Sequence, residues 1–275
     1  MSLVRLVRAD QQEKRFAVIN IVFGLLVVVV AVLIAVAGLT LVQRLVPSRV
    51  RQEHNDVAGF IYAVLGVIYA VLIALMVVAV WEDFAAARDT AEREASELDD
   101  VFRLAHSLPD PEGRQLQELA HSYAQVVVNE EWALMAHART SPRAWALLDE
   151  MTLRLENVEI STKAEQALYE ESLDRMNELE DARNARLVKA SEGIPTVLWG
   201  VMVVAGIVVV GFAYLFGVEN ALVHKLMVGA LATVITLVLF TIGVLEYPFS
   251  GNVRVGPEAF ELVLERFESS KLSEL

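Results

Sequence analysis

The side chains that could do chemistry are few and dispersed along this chain of 275 residues. It has no cysteine, which excludes thiol catalysis, disulfides and iron–sulfur ligation. The five histidines, His54, His106, His121, His137 and His224, lack the close spacing that a metal requires. His224, beside Lys225 at the end of an apolar stretch, reads as an interface residue. There is no Gly-rich phosphate loop, no H-E-x-x-H and no G-x-S-x-G. The densest ligating group is Glu97-Leu98-Asp99-Asp100. It lacks the loop of oxygen ligands and the glycine turn of a calcium site, so a solvated acidic helix face is expected. Glu130 interrupts an apolar stripe. A carboxylate in that setting is either paired or functional, and Arg103 or Arg139 is the expected partner. No catalytic, cofactor or metal site is assigned, and the chain is not expected to be an enzyme.

The elements that must position these residues are dominated by four apolar stretches, 16–43, 57–81, 193–218 and 226–245, none of which contains Asp, Glu, Lys or Arg. Each reaches the roughly 20 residues that cross a hydrocarbon core as a helix, and a bilayer admits only segments that satisfy their own backbone. The fold expected is therefore all-α: an integral membrane protein with four transmembrane helices and a helical insert between spans 2 and 3. Four parts follow: residues 1–81 as a first hairpin, 82–192 as a soluble domain, 193–246 as a second hairpin and 247–275 as a tail. Ala35-Val36-Ala37 matches a signal-cleavage pattern. The apolar run is much longer than a signal core, so an uncleaved helix is expected. The absence of ionisable residues within the spans argues against a proton-coupled pump.

Charge is unevenly divided. Residues 82–192 hold 25 acidic and 12 basic residues, and the remainder holds 11 of each. An acidic domain of this kind repels phosphate backbones, so nucleic acid is not an expected partner; the lipid bilayer is. Arg5, Arg8, Lys14, Arg15, Arg88, Arg93, Arg183, Arg186, Lys189 and Arg254 flank span ends on the side of the termini, against Arg44, Arg49, Arg51 and Lys225 opposite. The excess places the termini and residues 82–192 in the cytoplasm, with the three outer arginines as a counter-signal.

Within the insert, the helix of span 2 is expected to continue through Asp100, with a turn at 108–113. Helices follow at about 113–138, 142–157 and 161–190. The first carries the stripe Leu116, Leu119, Tyr123, Val126, Val127 and Leu134. Ser141 caps the second, with Pro142 at its first position. After span 4, Pro257 opens an amphipathic helix with Phe260, Val263, Leu264 and Phe267 on one side, suited either to the membrane surface or to the insert. Thr233, Thr236 and Thr241 in span 4 are expected to bond back to their own helix.

Two faces of span 2 stand out. Gly59, Ala63, Gly66, Ala70 and Ala74 form a small-residue stripe, as Gly24, Ala31, Ala35 and Gly38 do in span 1. Small stripes allow close helix packing in lipid. Tyr62, Tyr69 and Met76 repeat every seven residues on another face. Tight packing and the lining of a narrow hydrophobic pore are both open to these faces.

Gly59-Phe60-Ile61-Tyr62-Ala63 through Val80-Trp81-Glu82-Asp83-Phe84, then Glu94-Ala95, Tyr123, Glu131-Trp132 and Pro248-Phe249-Ser250-Gly251 resemble the recurring pieces of a bacterial family of unknown function described as bestrophin-like. The resemblance runs from about residue 15 to 265, and it implies that Trp81, Glu94, Tyr123, Glu131, Trp132, Pro248, Phe249 and Gly251 are family motif positions. Glu246 stands where an aspartate is expected, and Val80 replaces the arginine that precedes the aromatic-acid pair in bestrophins. The more distant bestrophins imply a homo-oligomer, a pentamer, of four-span subunits in the inner membrane, passing inorganic ions through a pore lined by span 2. The candidate lining is Ile61, Val64, Ile68, Leu72 and Leu75, or the face of Tyr62, Tyr69 and Met76. Glu82 and Asp83 are candidate mouth charges, and the acidity of the insert favours cations. The alternative is a non-conducting membrane protein whose acidic domain binds or senses a cytoplasmic partner.

Overall fold

The computed structural model describes residues 3–251 and 253–273, with side chains over 22–251 and 253–270. Arg5, Arg8, Lys14 and Arg15 lie outside the described side chains. The helices are α1 (Leu3–Leu45), α2 (Ser48–Gln52), α3 (Asn55–Ala105), α4 (Glu112–Val126), a π turn (Val127–Glu131), α5 (Trp132–Met135), α6 (Pro142–Glu156), α7 (Lys163–Ser191), α8 (Thr196–Ala213), α9 (Ala221–Leu245) and α10 (Glu258–Ser273). No strand occurs among the described residues. The chain divides into two compact units, 1–81 with 193–246 and 82–192 with 247–275.

The first unit holds four helices long and apolar enough to cross a membrane. Small residues let them meet. A Cβ at Gly24 of α1 would stand 2.7 Å from the Phe240 ring of α9, and one at Gly206 of α8 would stand 2.8 Å from the Tyr69 hydroxyl. One core joins Ala35 and Leu39 to Ala213, Val228 and Ala232; another joins Met76 and Val80 to Met202 and Ile242. Polar side chains in this unit serve helix ends. Arg51 is buried and donates from Nη1 to the carbonyls of Tyr214 (3.0 Å) and Phe216 (3.1 Å). Asn55 pairs with both backbone groups of Gly217. His224 is buried with Nε2 3.0 Å from the Ala213 carbonyl and Nδ1 3.3 Å from the Gln43 amide. It is thus a core residue rather than a surface one. Arg51 likewise closes the carbonyl end of α8, where a cation is favoured, so it is not a free charge in the loop between spans 1 and 2. The hydroxyls of Thr233 and Thr241 donate to the carbonyls four residues back, at Gly229 and Leu237.

The second unit is a helical domain around one core that includes Leu98, Leu116, Tyr123, Met151, Leu179, Phe249 and Phe260. Its helices start where local chemistry dictates. The Ser141 hydroxyl accepts from the Ala144 N–H, with Pro142 in the first turn. Thr162 and Glu165 form a reciprocal capping box for α7. Glycine is required at position 113, because a Cβ there would stand 2.5 Å from the Ala105 carbonyl oxygen. Phe260, Val263 and Phe267 of α10 are buried in this core, and Phe267 stacks on Phe102 with ring centroids 3.9 Å apart. The amphipathic helix therefore packs on the insert.

The acidic run of α3 is not a solvated face. Leu98 is fully buried, Glu97 pairs with Arg175 at 3.2 Å, Asp99 pairs with Arg266 at 2.9 Å and with Arg103 at 3.5 Å, and Asp100 pairs with Arg103. Arg103 belongs to α3 itself, but Arg175 and Arg266 come from α7 and α10, which a local reading of α3 does not contain. Among the described residues no group of acidic or histidine side chains could hold a metal.

Candidate functional site

Span 2 occupies the first part of α3. Tyr69 and Met76 are buried within the membrane unit, and Tyr62 stacks on Phe212 and meets Phe216 edge-on, at centroid distances of 6.0 and 5.4 Å. The other candidate face points away from the rest of the membrane unit. Ile61, Val64, Ile68 and Leu75 are exposed, and Leu72 packs at the edge of the core. Most of the small stripe beside them is open as well: Ala63, Ala70 and Ala74 are exposed, and a Cβ at Gly66 would meet nothing within 4 Å, whereas one at Gly59 would reach the Phe216 ring at 3.9 Å. Span 1 differs, since its Gly24 and Ala35 are buried against other helices. Val80, where the resemblance expects an arginine, is 3% exposed and packs with Met202 and Ile242. An unpaired guanidinium could not be held there without a large desolvation cost. Trp81, Glu82 and Asp83 are exposed, and Asp83 accepts from Lys189 Nζ at 2.9 Å. Glu246 caps the start of the second hairpin, accepting from the Ile194 N–H at 3.0 Å and Trp199 Nε1 at 3.1 Å.

The scattered motif residues of the soluble unit converge on a buried charge cluster. Glu94, Glu131, Arg183 and Arg186 all have 0% side-chain exposure. Arg186 grips Glu94 with two bonds, Nε to Oε2 at 2.5 Å and Nη2 to Oε1 at 2.9 Å, and also donates from Nη2 to Glu131 Oε2 at 2.9 Å. Arg183 holds Glu131 in a fork, Nη2 to Oε1 and Nη1 to Oε2, both at 2.7 Å. The Tyr123 hydroxyl donates to Glu94 Oε1 at 2.6 Å and accepts from Arg183 Nη1 at 2.9 Å. The Ser141 backbone N–H completes Glu131 at 2.9 Å. Aromatic rings cover the guanidinium planes: Trp145 at 4.6 Å from Arg183 and Trp132 at 5.1 Å from Arg186.

Two carboxylates and two guanidiniums balance, and forked pairs are the geometry in which buried charge is best tolerated. Burial opposes the ionised form of Glu131, but Arg186 and Arg183 beside it and the Ser141 N–H outweigh that and hold its carboxyl below the ordinary range. Burial, then the Glu94 charge, push the Tyr123 hydroxyl well above its usual range, so it stays a donor. Burial opposes the charge on both arginines, yet their neighbouring anionic groups raise them above an ordinary guanidinium. Glu131, Arg183 and Arg186 are thus held in their charged forms by one another, a property of a fixed structural cluster rather than of a proton carrier.

Trp132 also donates to the Val255 carbonyl at 3.0 Å and stands edge-on to Phe249 and Phe260. Pro248 is buried and its carbonyl accepts from Val255. Gly251 has φ +76°, the left-handed conformation that favours glycine. Glu94, Tyr123, Glu131, Trp132 and Phe249, separated by up to 155 positions in the chain, therefore meet in one core.

Two further sequence expectations require correction. Glu130 pairs with neither Arg103 nor Arg139: its Oε1 accepts from the Ser141 hydroxyl at 2.5 Å, and the carboxylate on the core face is Glu131. The π turn explains the exchange. One extra residue in the helical turn rotates everything beyond Val127, so Glu131 and Met135 face inward in place of Glu130 and Leu134. Arg183 and Arg186 are not surface charges available to set orientation; they are paired inside the soluble unit. Their signal was present in the row Ser172, Met176, Leu179, Arg183, Arg186, spaced 4, 3, 4 and 3, in which the arginines continue the buried seam of α7.

The fold defines an all-helical membrane protein of four spans with a soluble helical unit joined to spans 2 and 3. The family model of the Bestrophin-like domain matches residues 29–260, and the chain belongs to this bestrophin-like family. Among solved structures it is similar to a variant of a bacterial bestrophin homologue from Klebsiella pneumoniae, with 13% identity and a TM-score of 0.64 over 87% of this chain and 98% of that one. A second structure of that homologue, phased on zinc, gives 14% identity and 0.62 over 90% and 96%. A structure described as a membrane protein gives 14% and 0.62 over 87% and 96%. At such identities the likeness is one of fold. No curated protein matches the chain.

Proposed function

We propose that the chain is one subunit of an oligomeric ion channel, with the aliphatic face of α3 carrying Ile61, Val64, Ile68, Leu72 and Leu75 toward a shared axis. The observation that carries this reading is the division of labour on span 2. Its Tyr69 and Met76 are consumed by packing inside the subunit, while Ile61, Val64, Ile68 and Leu75 and the adjacent small stripe face outward. A narrow ring of aliphatic side chains conducts only when wetted, which is a gate in itself. The bestrophin-like family and fold support the same reading, as does the four-span layout, and the resemblance favours a pentamer in a bacterial inner membrane. We place the soluble unit and the termini on the cytoplasmic side by the basic flanks Arg88, Arg93, Lys189 and Arg254, after removing Arg51, Arg183 and Arg186 from the count.

Glu82 and Asp83 follow span 2 directly, and a ring of them would enrich cations at the pore mouth. Imaging the purified protein in nanodiscs tests the assembly: a closed ring with α3 on the axis is expected, and liposomes bearing it should pass ions. Monomers without flux would turn the reading to a partner-binding membrane protein. Neutralising Glu82 and Asp83 together is expected to move the reversal potential toward lower cation preference, and an unmoved potential would remove the mouth-charge assignment.

A further inference from the structure

Among the described residues three arginines are buried: Arg51, Arg183 and Arg186. The last two are matched by the carboxylates of Glu94 and Glu131. Arg51, at 7% exposure, makes no ion pair among the described residues; its bonds are the two from Nη1 to the carbonyls of Tyr214 and Phe216. Nε is buried without a partner, and neither of those bonds uses Nη2. Nε and Nη2 together form one edge of the guanidinium plane. Such an edge carries two parallel N–H groups, which match two oxygens of one phosphate or carboxylate. The carbonyl end of a helix supplies about half a negative charge, so the end of α8 offsets only part of the cation. A buried charge that lacks a full counter-charge is destabilising, and an anion on the free edge removes the imbalance. The edge is also held in place. Asn55 binds both backbone groups of Gly217, and a Cβ at Gly217 would stand 2.4 Å from the Gln52 nitrogen. The loop after α8 thus lies directly on the segment that carries Arg51, and a group fixed this way loses little freedom when it takes a guest.

We propose that Arg51 is an anion-binding residue whose Nε–Nη2 edge takes a phosphate oxyanion, supplied by the headgroup of a phospholipid. Arg51 lies between the end of α1 at Leu45 and the start of α3 at Asn55, against the carbonyl end of α8. With those helices crossing a bilayer, it stands at the depth of the headgroup phosphates. One oxygen meets Nη2 first, and Nε joins once its cover shifts. Free phosphate offers the same chemistry, and the test separates the two sources. The site belongs to the membrane unit alone and exists whether or not ions pass.

The test uses the full chain in maltoside detergent. Native mass spectrometry counts bound lipid, and the melting temperature reads its effect. The probes are phosphatidylglycerol, a diacylglycerol of the same chains without phosphate, and inorganic phosphate. Three variants are compared with the parent: Arg51→Lys, which keeps the charge and loses the fork; Arg51→Met, which removes both; and Arg49→Gln, which removes an exposed charge from the same short helix. Phosphatidylglycerol is expected to stay bound to the parent and to Arg49→Gln and to raise their melting temperatures, while diacylglycerol does neither. Arg51→Lys and Arg51→Met should retain about tenfold less phosphatidylglycerol. If Arg51→Met fails to fold, Arg51→Lys decides alone. Inorganic phosphate that displaces the lipid from the parent, or raises the melting temperature of the parent but not of Arg51→Lys, upholds the oxyanion site and adds solution as its source. Equal retention of diacylglycerol would overturn the proposal, because acyl chains would then account for binding. Undiminished retention in the folded Arg51 variants, or an equal loss in Arg49→Gln, would overturn it too, as would a parent that holds neither source of phosphate.

Discussion

The membrane unit and the soluble unit both bury polar groups, but they put them in different places. In the membrane unit, the hydrogen bonds of Arg51, Asn55, His224 and Glu246 go mostly to backbone groups at helix ends, while the middle of each span is uncharged. In the soluble unit, two acids and two arginines sit at the centre of the core with no exposure. The difference follows from the solvent outside. Lipid gives a helix no apolar reason to associate, so specificity comes from small residues that permit close approach. Water supplies that drive in abundance, and apolar burial alone leaves several packings nearly equal. A forked ion-pair cluster is satisfied by a single arrangement of α3, the π turn and α7.

The largest expected effect comes from unbalancing that cluster. Glu131→Gln leaves two guanidiniums facing one carboxylate, and the soluble unit should lose about 3–5 kcal/mol, read by denaturant titration of tryptophan fluorescence. Replacing all four charged residues with Met and Leu should restore much of that loss, because the cost lies in the uncompensated charge. Acid makes the same cut. The Glu131 carboxyl is held below its ordinary value, so its contribution is complete above the unfolded value of about 4.3. It is lost as pH falls from there through the lower folded value. In Glu131→Gln the loss of stability below that pH should be shallower than in the parent. Equal acid profiles would show that other carboxylates govern acid unfolding.

The membrane half of the comparison is tested by Gly24→Ala. The new Cβ falls 2.7 Å from the Phe240 ring, and overpacking of this kind should cost about 1–3 kcal/mol, seen as a lower melting temperature in detergent. A smaller effect is expected at the start of α7. Thr162→Ala removes one arm of the capping box and should cost about 1 kcal/mol, confined to the soluble unit's transition.

The sequence carried the spans well, because an uncharged run of twenty or more residues has one meaning in a bilayer. The helices of the insert were legible too, Ser141 and Pro142 marking one start unambiguously. The charge cluster was legible only in halves. Glu94, Tyr123 and Glu131-Trp132 appear as motif pieces, but Arg183 and Arg186 lie in a helix so rich in charge that only their place in its buried 4, 3 spaced seam sets them apart. The π turn compounded this, since a period of 3.6 continued past Val127 selects Glu130 and Leu134 instead of Glu131 and Met135. Pairings such as Asp99 with Arg266 were beyond reach because they join residues 167 positions apart.

Gly66→Ala is the smallest change for the single subunit, and it sharpens the comparison most. A Cβ at this position meets nothing within 4 Å, and alanine is the better helix former by about 1 kcal/mol. Within one subunit the substitution should therefore be neutral or slightly stabilising. A penalty can arise only from a helix that the subunit itself does not supply. If α3 packs against neighbouring copies through its small stripe, the added methyl should lower the oligomer fraction by size-exclusion chromatography while the melting temperature of the dissociated subunit holds or rises. The matched change at Gly24 should do the reverse, lowering subunit stability with oligomer affected only as a consequence. Should Gly66→Ala leave the assembly intact, the stripe faces lipid, and subunit contact must come from another face of span 2.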